Sequence, residues 1–335
     1  MLGKGYVIER GEDGQVYGVI RTVAEDAWPR EGTLIRVAYS SLNYKDALIA
    51  TGHPALAPAF PHVPGIDAAG VVVSCPDGRF REGDRVLVTG YGLGVSQWGG
   101  YAEYIRVPPD WIVPLPSGLS LKQSMILGTA GLTAALCVHA LSAAGLSPAD
   151  GALLVTGASG GVGSLAIALL AHSGYRVTAV TGKKEAMDYL YRLGATDIIH
   201  RGDLPSSDRA LLKERWSGAV DTVGGPILAS VLKAISYGGA VAACGLVAGE
   251  AVHTTVYPFI LRGITLAGID SVRCPMTRRL PLWQGLADQS ATLPWDTFAT
   301  SVDLEDLEPY IQMILQGDLR GRVVVKIAPQ ENGGD

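Results

Sequence analysis

The stretch "VTGASGGVGS", Val155 to Ser164, decides the fold. It joins "ALLVTGA", which reads as a buried strand, to residues 161–173, which read as a helix. Gly157, Gly160 and Gly163 stand in it as GxxGxxG. Glycine is needed at such a turn for steric reasons: the chain turns tightly, its backbone approaches a pyrophosphate, and the helix packs closely on the sheet. The helix start, Gly160, Gly161, Val162, Gly163 and Ser164, then offers N–H groups and a partial positive charge to that pyrophosphate. Three glycines also make turns that bind nothing; the strand–loop–helix setting is what points to a dinucleotide.

Working outward, the same grammar repeats. "RVTAVTG" is the next strand and "KKEAMDYLYRLGA" the next helix; "DIIH", a helix through "SDRALLKER", and "GAVDTV" follow. The helix "PILASVLKAI" and the strands "GAVAACG" and "GITLAGID" close the series. Strand alternating with helix at this rhythm predicts a doubly wound parallel sheet, an α/β fold. Ahead of it, "LKQSMILGTAGLTAALCVHAL" reads as one long apolar helix. The first third differs: short alternating runs such as "TLIRVAYSSLN" and "AAGVVVS", separated by turn signals, predict a mostly β module ending near residue 120. The chain closes with "GRVVVKI" and a polar tail, "APQENGGD", expected to fray.

The second strand carries the next piece of information. In a dinucleotide fold an acid commonly ends it and accepts the ribose 2′-hydroxyl. Here Thr181, Gly182 and Lys183 offer a hydroxyl, an amide and an ammonium, which suit a 2′-phosphate and favour NADPH. Alternatively, Lys183 and Lys184 merely open a solvated helix, although lysine in a first turn opposes the helix dipole. Arg201, just after the third strand, either reaches the same corner or is an exposed loop residue.

Composition narrows the classes. A chain of 335 residues has room for two cores, and 48% hydrophobic with 18% charged residues is a globular balance. A formal charge of −5 leaves no basic stripe for nucleic acid. No apolar run is expected to reach the ~18 residues of a membrane span. "MLGKGYVIERGEDG" lacks a signal-peptide core, which predicts a cytoplasmic protein. Cys75, Cys137, Cys244 and Cys274 show no CxxC spacing, and the six histidines show no HExxH, so no metal site is expected.

The segments "SSLNYKDAL", "PGIDAAGVV", "GDRVLVTGYGLG", "GGYAEY" and "LGTAGLTAAL" resemble the zinc-free, quinone-oxidoreductase-like branch of the medium-chain dehydrogenase/reductases. More narrowly, "LNYKDALIATG" with "VTGASGGVGS", "TGK" and "TTVYPFILRGITLAGIDSV" resembles the NADPH-dependent acrylyl-CoA reductases, over about residues 5 to 327. The resemblance implies a GroES-like, mostly β catalytic domain from residues 1–127 and 271–335, an inserted NADPH-binding Rossmann domain at 128–270, and an active-site cleft between them. It also implies a homodimer through the Rossmann domain. Where zinc-dependent relatives carry a cysteine ligand and Gly-His-Glu, this chain has Asn43-Tyr44 and Gly65-Ile66-Asp67. That departure turns the expectation from alcohol oxidation to reduction of an activated alkene, whose own carbonyl takes up charge as hydride reaches the β-carbon.

Tyr44, on the segment resembling the nicotinamide-contacting loop, is a candidate cofactor contact and proton donor, since a phenol of pKa ~10 stays protonated at neutral pH. The alternative is a core aromatic. Asn43 either donates to the enolate oxygen or fixes the loop; Asp46 orients the helix start or pairs with a neighbour, and His53 is packed or solvated. By resemblance, Gly245, Leu246, Ile260 and Ser271 lie near the nicotinamide. "SVRCPMTRR" supplies Arg273, Arg278 and Arg279 either for the phosphates of an acyl-CoA or as a solvated helix start. The competing functions are an NADPH:quinone oxidoreductase and a non-catalytic NADPH-binding protein.

Overall fold

The computed structural model describes residues 2–24, 28–29, 31–54, 56, 59–205 and 207–328, so the tail from 329 lies outside the described residues. The chain separates into two compact units, Met1–Thr129 with Val272–Asp335, and Ala130–Ser271.

The first unit opens on an antiparallel pair, β1 (Leu2–Arg10) and β2 (Val16–Ala24). β3 (Thr33–Leu42) runs into the short helix α1 (Tyr44–Ala50), followed by β4 (Asp67–Ser74), β5 (Arg85–Thr89), β6 (Tyr104–Val107) and β7 (Ile112–Pro114). Ile35 and Val37, Val86 and Val88, and Ile105 and Val107 recur at a spacing of two and are buried together. That period makes these segments strands with one face in the core.

Helix α2 (Leu121–Ala143) departs from two expectations. It is long and apolar enough to cross a membrane, but 72% of its apolar window is buried within the protein, as in a core helix. It is also two helices, because Gly128 (φ 51, ψ −152) breaks the backbone. A side chain there would meet Asp67 Oδ2 at 2.5 Å and Ser41 Oγ at 2.8 Å, so glycine lets the helix close over a buried carboxylate.

The second unit holds β8 (Leu153–Val155), α3 (Gly161–His172), β9 (Val177–Thr181), α4 (Met187–Arg192), β10 (Asp197–His200), β11 (Trp216–Asp221), α5 (Gly225–Ala234), β12 (Ile235–Ala243), α6 (Tyr257–Arg262) and β13 (Thr265–Gly268). The sheet order is β10-β9-β8-β11-β12-β13, with every neighbouring pair parallel. The order reverses between β8 and β11, the switch point at which such sheets bind ligands beyond their carboxyl ends. The helix expected through "SDRALLKER" does not form. Instead the Leu212 and Arg215 amides donate to the carbonyls of Lys233 and Ala234, and Arg262 donates to Leu212 O. So short a helix is marginal alone, and these partners satisfy the backbone extended.

The chain then returns to the first unit through α7 (Met276–Asp288), α8 (Trp295–Phe298), β14 (Ala299–Asp303), α9 (Leu307–Gln316) and β15 (Arg322–Lys326). The first unit's sheet runs β14-β15-β3-β4-β5-β7, with β6 pairing β3. Antiparallel pairing of Val323 with Leu42 sets Arg322 beside the residue that opens α1.

Candidate active site

In the second unit the glycine loop has the geometry its spacing predicts. Gly157 has φ +57, and a side chain there would stand 2.2 Å from Thr222 Oγ1. At Gly163 a β-carbon would lie 2.3 Å from Gly157 O, so the first turn of α3 rests directly on the loop. Gly160 caps α3, and the Ser164 hydroxyl donates back to Gly160 O at 2.7 Å. The opening amides of α3, at Gly161 and Val162, belong to the first turn, whose N–H groups have no intrahelical acceptor.

Four of the proposed cofactor residues come together at the end of β9. The Lys183 amide donates to Thr181 Oγ1 at 3.1 Å, and Ser159 Oγ lies 3.3 Å from the same hydroxyl. Thr181 is paired with His200 across β9 and β10, which brings Arg201 alongside. Its guanidinium lies over Gly182: a β-carbon at 182 would be 2.7 Å from Nε and 3.0 Å from Cζ. Lys184 is exposed on the following turn.

The remaining cofactor candidates lie on the other side of the switch point. Leu246, exposed, follows β12, and Ile260 stands on the exposed side of α6 at the sheet edge. Ser271 is buried, its hydroxyl accepting from Thr133 Oγ1 at 2.8 Å.

The first unit assembles a second cluster at the start of α1. Asn43 caps the helix, and Asp46 Oδ2 accepts from the Asn43 amide at 2.9 Å. Asp46 Oδ1 accepts from the Gly65 and Ile66 amides at 3.1 and 2.8 Å, tying α1 to the segment that enters β4. Next to it, Asp67 is saturated with donors. Its Oδ2 accepts from Ser41 Oγ (2.7 Å), Asn43 Nδ2 (2.9 Å) and the Thr129 amide (2.9 Å), its Oδ1 from Thr129 Oγ1 (2.6 Å). Arg322 completes the cluster: it donates to Ser41 Oγ, Asn43 Oδ1, Leu42 O and Ile126 O, with Nη2 3.8 Å from Asp67 Oδ2. Burial, and then the neighbouring Asp67 carboxylate, push the Asp46 carboxyl up to about 7.

This arrangement decides between the alternatives for Asn43. Its amide nitrogen faces Asp67, Asp46 and Ser41 O, and its oxygen faces Arg322. Expected as a possible donor to an enolate, it is already spent on two carboxylates and acts as the peg of the loop. Tyr44, the next residue, is 38% exposed, so it is not a core aromatic. Asp46 orients the helix start and pairs with its neighbours.

The arginine cluster needs a correction. Arg273 and Arg278 are exposed, but Arg279 is fully buried, donating to Thr89 O, Thr89 Oγ1, Cys274 O and Val272 O. It has no face left for a substrate phosphate. Its position was legible in the helix period: Arg279, Trp283 and Leu286 share the buried side of α7. Arg322 and the donors to Asp67 were not anticipated; the one sequence signal is an arginine opening the apolar strand "RVVVK".

Residues 29–117 match the family described as alcohol dehydrogenase GroES-like domain, and residues 161–283 match the family described as zinc-binding dehydrogenase. The Bacillus subtilis (strain 168) protein named "Putative quinone oxidoreductase YhfP" is 51% identical over 92% of this chain and 94% of its own. The chain belongs to the medium-chain dehydrogenase/reductase family. Another relative, "Acrylyl-CoA reductase AcuI" of Ruegeria pomeroyi, is 45% identical over 96% of this chain and 98% of its own. Among solved structures, the yhdH oxidoreductase from Salmonella enterica in complex with NADP matches with a TM-score of 0.92 and 46% identity, covering 98% of this chain and 100% of that one. Bacillus subtilis protein yhfP with NAD bound matches with a TM-score of 0.92 and 48% identity, covering 97% and 99%. The family fold, a GroES-like domain with a Rossmann sheet, is the one implied by the sequence motifs. Among the described residues of this medium-chain dehydrogenase/reductase, no group of three or more His, Cys, Asp or Glu is placed to hold a metal ion.

Proposed function

We propose that the protein reduces the C=C bond of a short 2-enoyl-CoA with NADPH, acrylyl-CoA to propionyl-CoA being the leading reaction. One observation carries the cofactor half: the Arg201 guanidinium lies over Gly182, next to the Thr181 hydroxyl that accepts from the Lys183 backbone amide, so a cation and a hydroxyl stand where an acid would repel a 2′-phosphate. Gly160 to Ser164 would hold the pyrophosphate, while Leu246, Ile260, Ser271 and Tyr44 are assigned to the nicotinamide side. Because the yhfP structure holds NAD, the choice of nucleotide rests on this corner. The substrate half draws on the relative named an acrylyl-CoA reductase and on the exposed Arg273 and Arg278, suited to CoA phosphates.

NADPH, when bound, supplies the hydride. The chain's own part is to seat it, to hold the loop at Asn43 rigid, and to return a proton. Asp46, Asp67 and Arg322 lock Asn43, which fixes where the backbone delivers Tyr44. The Tyr44 hydroxyl has no hydrogen-bond partner among the described residues and is assigned the proton to the α-carbon.

An assay of enoyl-CoA esters, quinones and enals with NADPH and with NADH tests the proposal. Acrylyl-CoA with NADPH should be the best pair. Brisk quinone turnover with acrylyl-CoA untouched would instead favour the quinone oxidoreductase reading that the YhfP name carries.

We also assign a homodimer through the edge strand β13 and α6, where Val256, Tyr257, Leu261 and Leu266 are exposed; light scattering tests this. A cytoplasmic location accords with four cysteines left as free thiols.

A further inference from the structure

The first unit carries a groove of about 540 Å³ outside the Asn43 cluster, lined by Phe80, Tyr91, Trp111, Ile112, Met276 and Leu280, with Arg79 and Asp110 at its rim. Its floor is a stack. Tyr91 and Trp111 lie within 9° of parallel with centroids 5.5 Å apart, and the Arg279 guanidinium sits 4.4 Å from the Tyr91 centroid. Tyr91 is held firmly: its amide donates to Val272 O and its hydroxyl to Cys274 O, both at 3.1 Å. Among the described residues it is the one non-glycine with positive φ, 52°. Arg279 beneath it is buried and satisfied by Thr89, Cys274 and Val272. A buried, fully bonded arginine and a strained backbone thus serve to present one half-buried indole to a groove.

A flat, rigid indole with apolar walls suits a planar heteroaromatic ring, and base–aromatic stacking needs no other code. The rim adds what a purine nucleotide uses. The Asp110 carboxylate can accept from an exocyclic amine. Arg79, now paired with Asp77 and Asp110, supplies a cation at the rim, and Arg278 stands on the same helix as the lining residues Met276 and Leu280. The platform also connects to the site already described. Thr89 lies opposite Asp67 in the β4–β5 register and accepts from Arg279, and Tyr91 follows two residues later. A substrate with its reacting end beside Asn43–Tyr44 and its ring on a long flexible arm matches this layout.

We propose that this groove seats the adenine ring of the acyl-CoA substrate, with Trp111 as its stacking face. The inference rests on the enoyl-CoA reading above, and the test separates the two. Acrylyl-CoA and the truncated thioester S-acrylyl-N-acetylcysteamine are compared in wild-type protein, Trp111→Ala and Leu280→Trp; the last narrows the groove from an exposed lining position and leaves Tyr91 and Trp111 in place in the sequence. The preference for acrylyl-CoA over the truncated thioester, as a ratio of kcat/KM values, should fall by roughly 10- to 100-fold in both variants. In parallel, adenosine 3′,5′-bisphosphate is titrated calorimetrically into NADP⁺-saturated protein, where it should bind wild-type at least about tenfold more tightly than either variant. An unmoved ratio, or bisphosphate that binds all three proteins equally or none, overturns the groove assignment. Failure to turn over both thioesters overturns the enoyl-CoA reading, and the bisphosphate titration still decides the groove.

Discussion

Arg201 lies across the α-carbon of Gly182, so that a β-carbon there would stand 2.7 Å from its Nε and 2.9 Å from its Cδ. The pairing of Thr181 with His200 brings two chain segments together, one carrying Arg201 and the other Lys183. A charge-assisted contact contributes ~1.5–3 kcal/mol, so Lys183→Ala should weaken NADPH by roughly 10- to 100-fold and leave NADH almost unchanged. Gly182→Ala should act in the same direction by displacing Arg201, a flexible side chain, with little loss of stability. Fluorescence titration of both nucleotides checks this; equal losses for NADPH and NADH would make the corner structural.

At Gly157 the neighbours are not flexible in the same way. With φ +57 and Thr222 Oγ1 2.2 Å from where a β-carbon would stand, Gly157→Ala strains the backbone and pushes Thr222 off its bond to Thr156 O. Expected are a stability loss of about 1–3 kcal/mol and loss of both NADPH and NADH binding, read from denaturant midpoints and titration.

The Asp67–Arg322 pair is buried on both sides, at 3.8 Å. Arg322→Gln leaves Asp67 without its cation and should cost about 3–5 kcal/mol, whereas Arg322→Lys, which keeps the charge but not the fork, should cost less. Urea unfolding of the two variants distinguishes them.

Asp46 predicts a pH dependence. Its carboxyl sits at about 7 in the folded protein against an ordinary value of 3.8, so the folded chain holds a proton that the unfolded chain releases between those values. That contribution to stability is full below about pH 4 and is lost as the pH rises through about 7. The stability of wild-type protein relative to Asp46→Asn should therefore fall between pH 5 and pH 8. A difference that is flat or rises over that range contradicts the assignment.

Tyr44→Phe removes the proposed proton donor. Loss of a general acid should lower alkene reduction by roughly 10²–10⁴-fold while NADPH affinity changes little. Undiminished turnover would move the proton to water or another group.

Local signals made the second unit legible. Gly157, Gly160 and Gly163 fixed the turn, and the strand–helix alternation around them fixed the parallel sheet. The segment through "SDRALLKER" was misjudged because its backbone is satisfied by Lys233 and Ala234, partners that propensity does not see. The Asn43 cluster was only half legible for a similar reason. Asn43, Tyr44 and Asp46 are neighbours in sequence, but Arg322 arrives from 279 residues away to bond Asn43, and Thr129 reaches Asp67 only because Gly128 breaks α2. Such contacts depend on strand register and a helix break, not on any motif. Arg279 shows the converse: the helix period it shares with Trp283 and Leu286 places it inward, although its charge suits a phosphate.

The central claim is hydride transfer from NADPH to the β-carbon of an enoyl thioester. The most direct measurement is the position of deuterium in the product when acrylyl-CoA is reduced with NADPH deuterated at the transferable C4 position. The account predicts propionyl-CoA formed in step with NADPH oxidation, with one deuterium at its β-carbon and a solvent proton at its α-carbon. Deuterium at the α-carbon, or NADPH oxidation without propionyl-CoA, would contradict it.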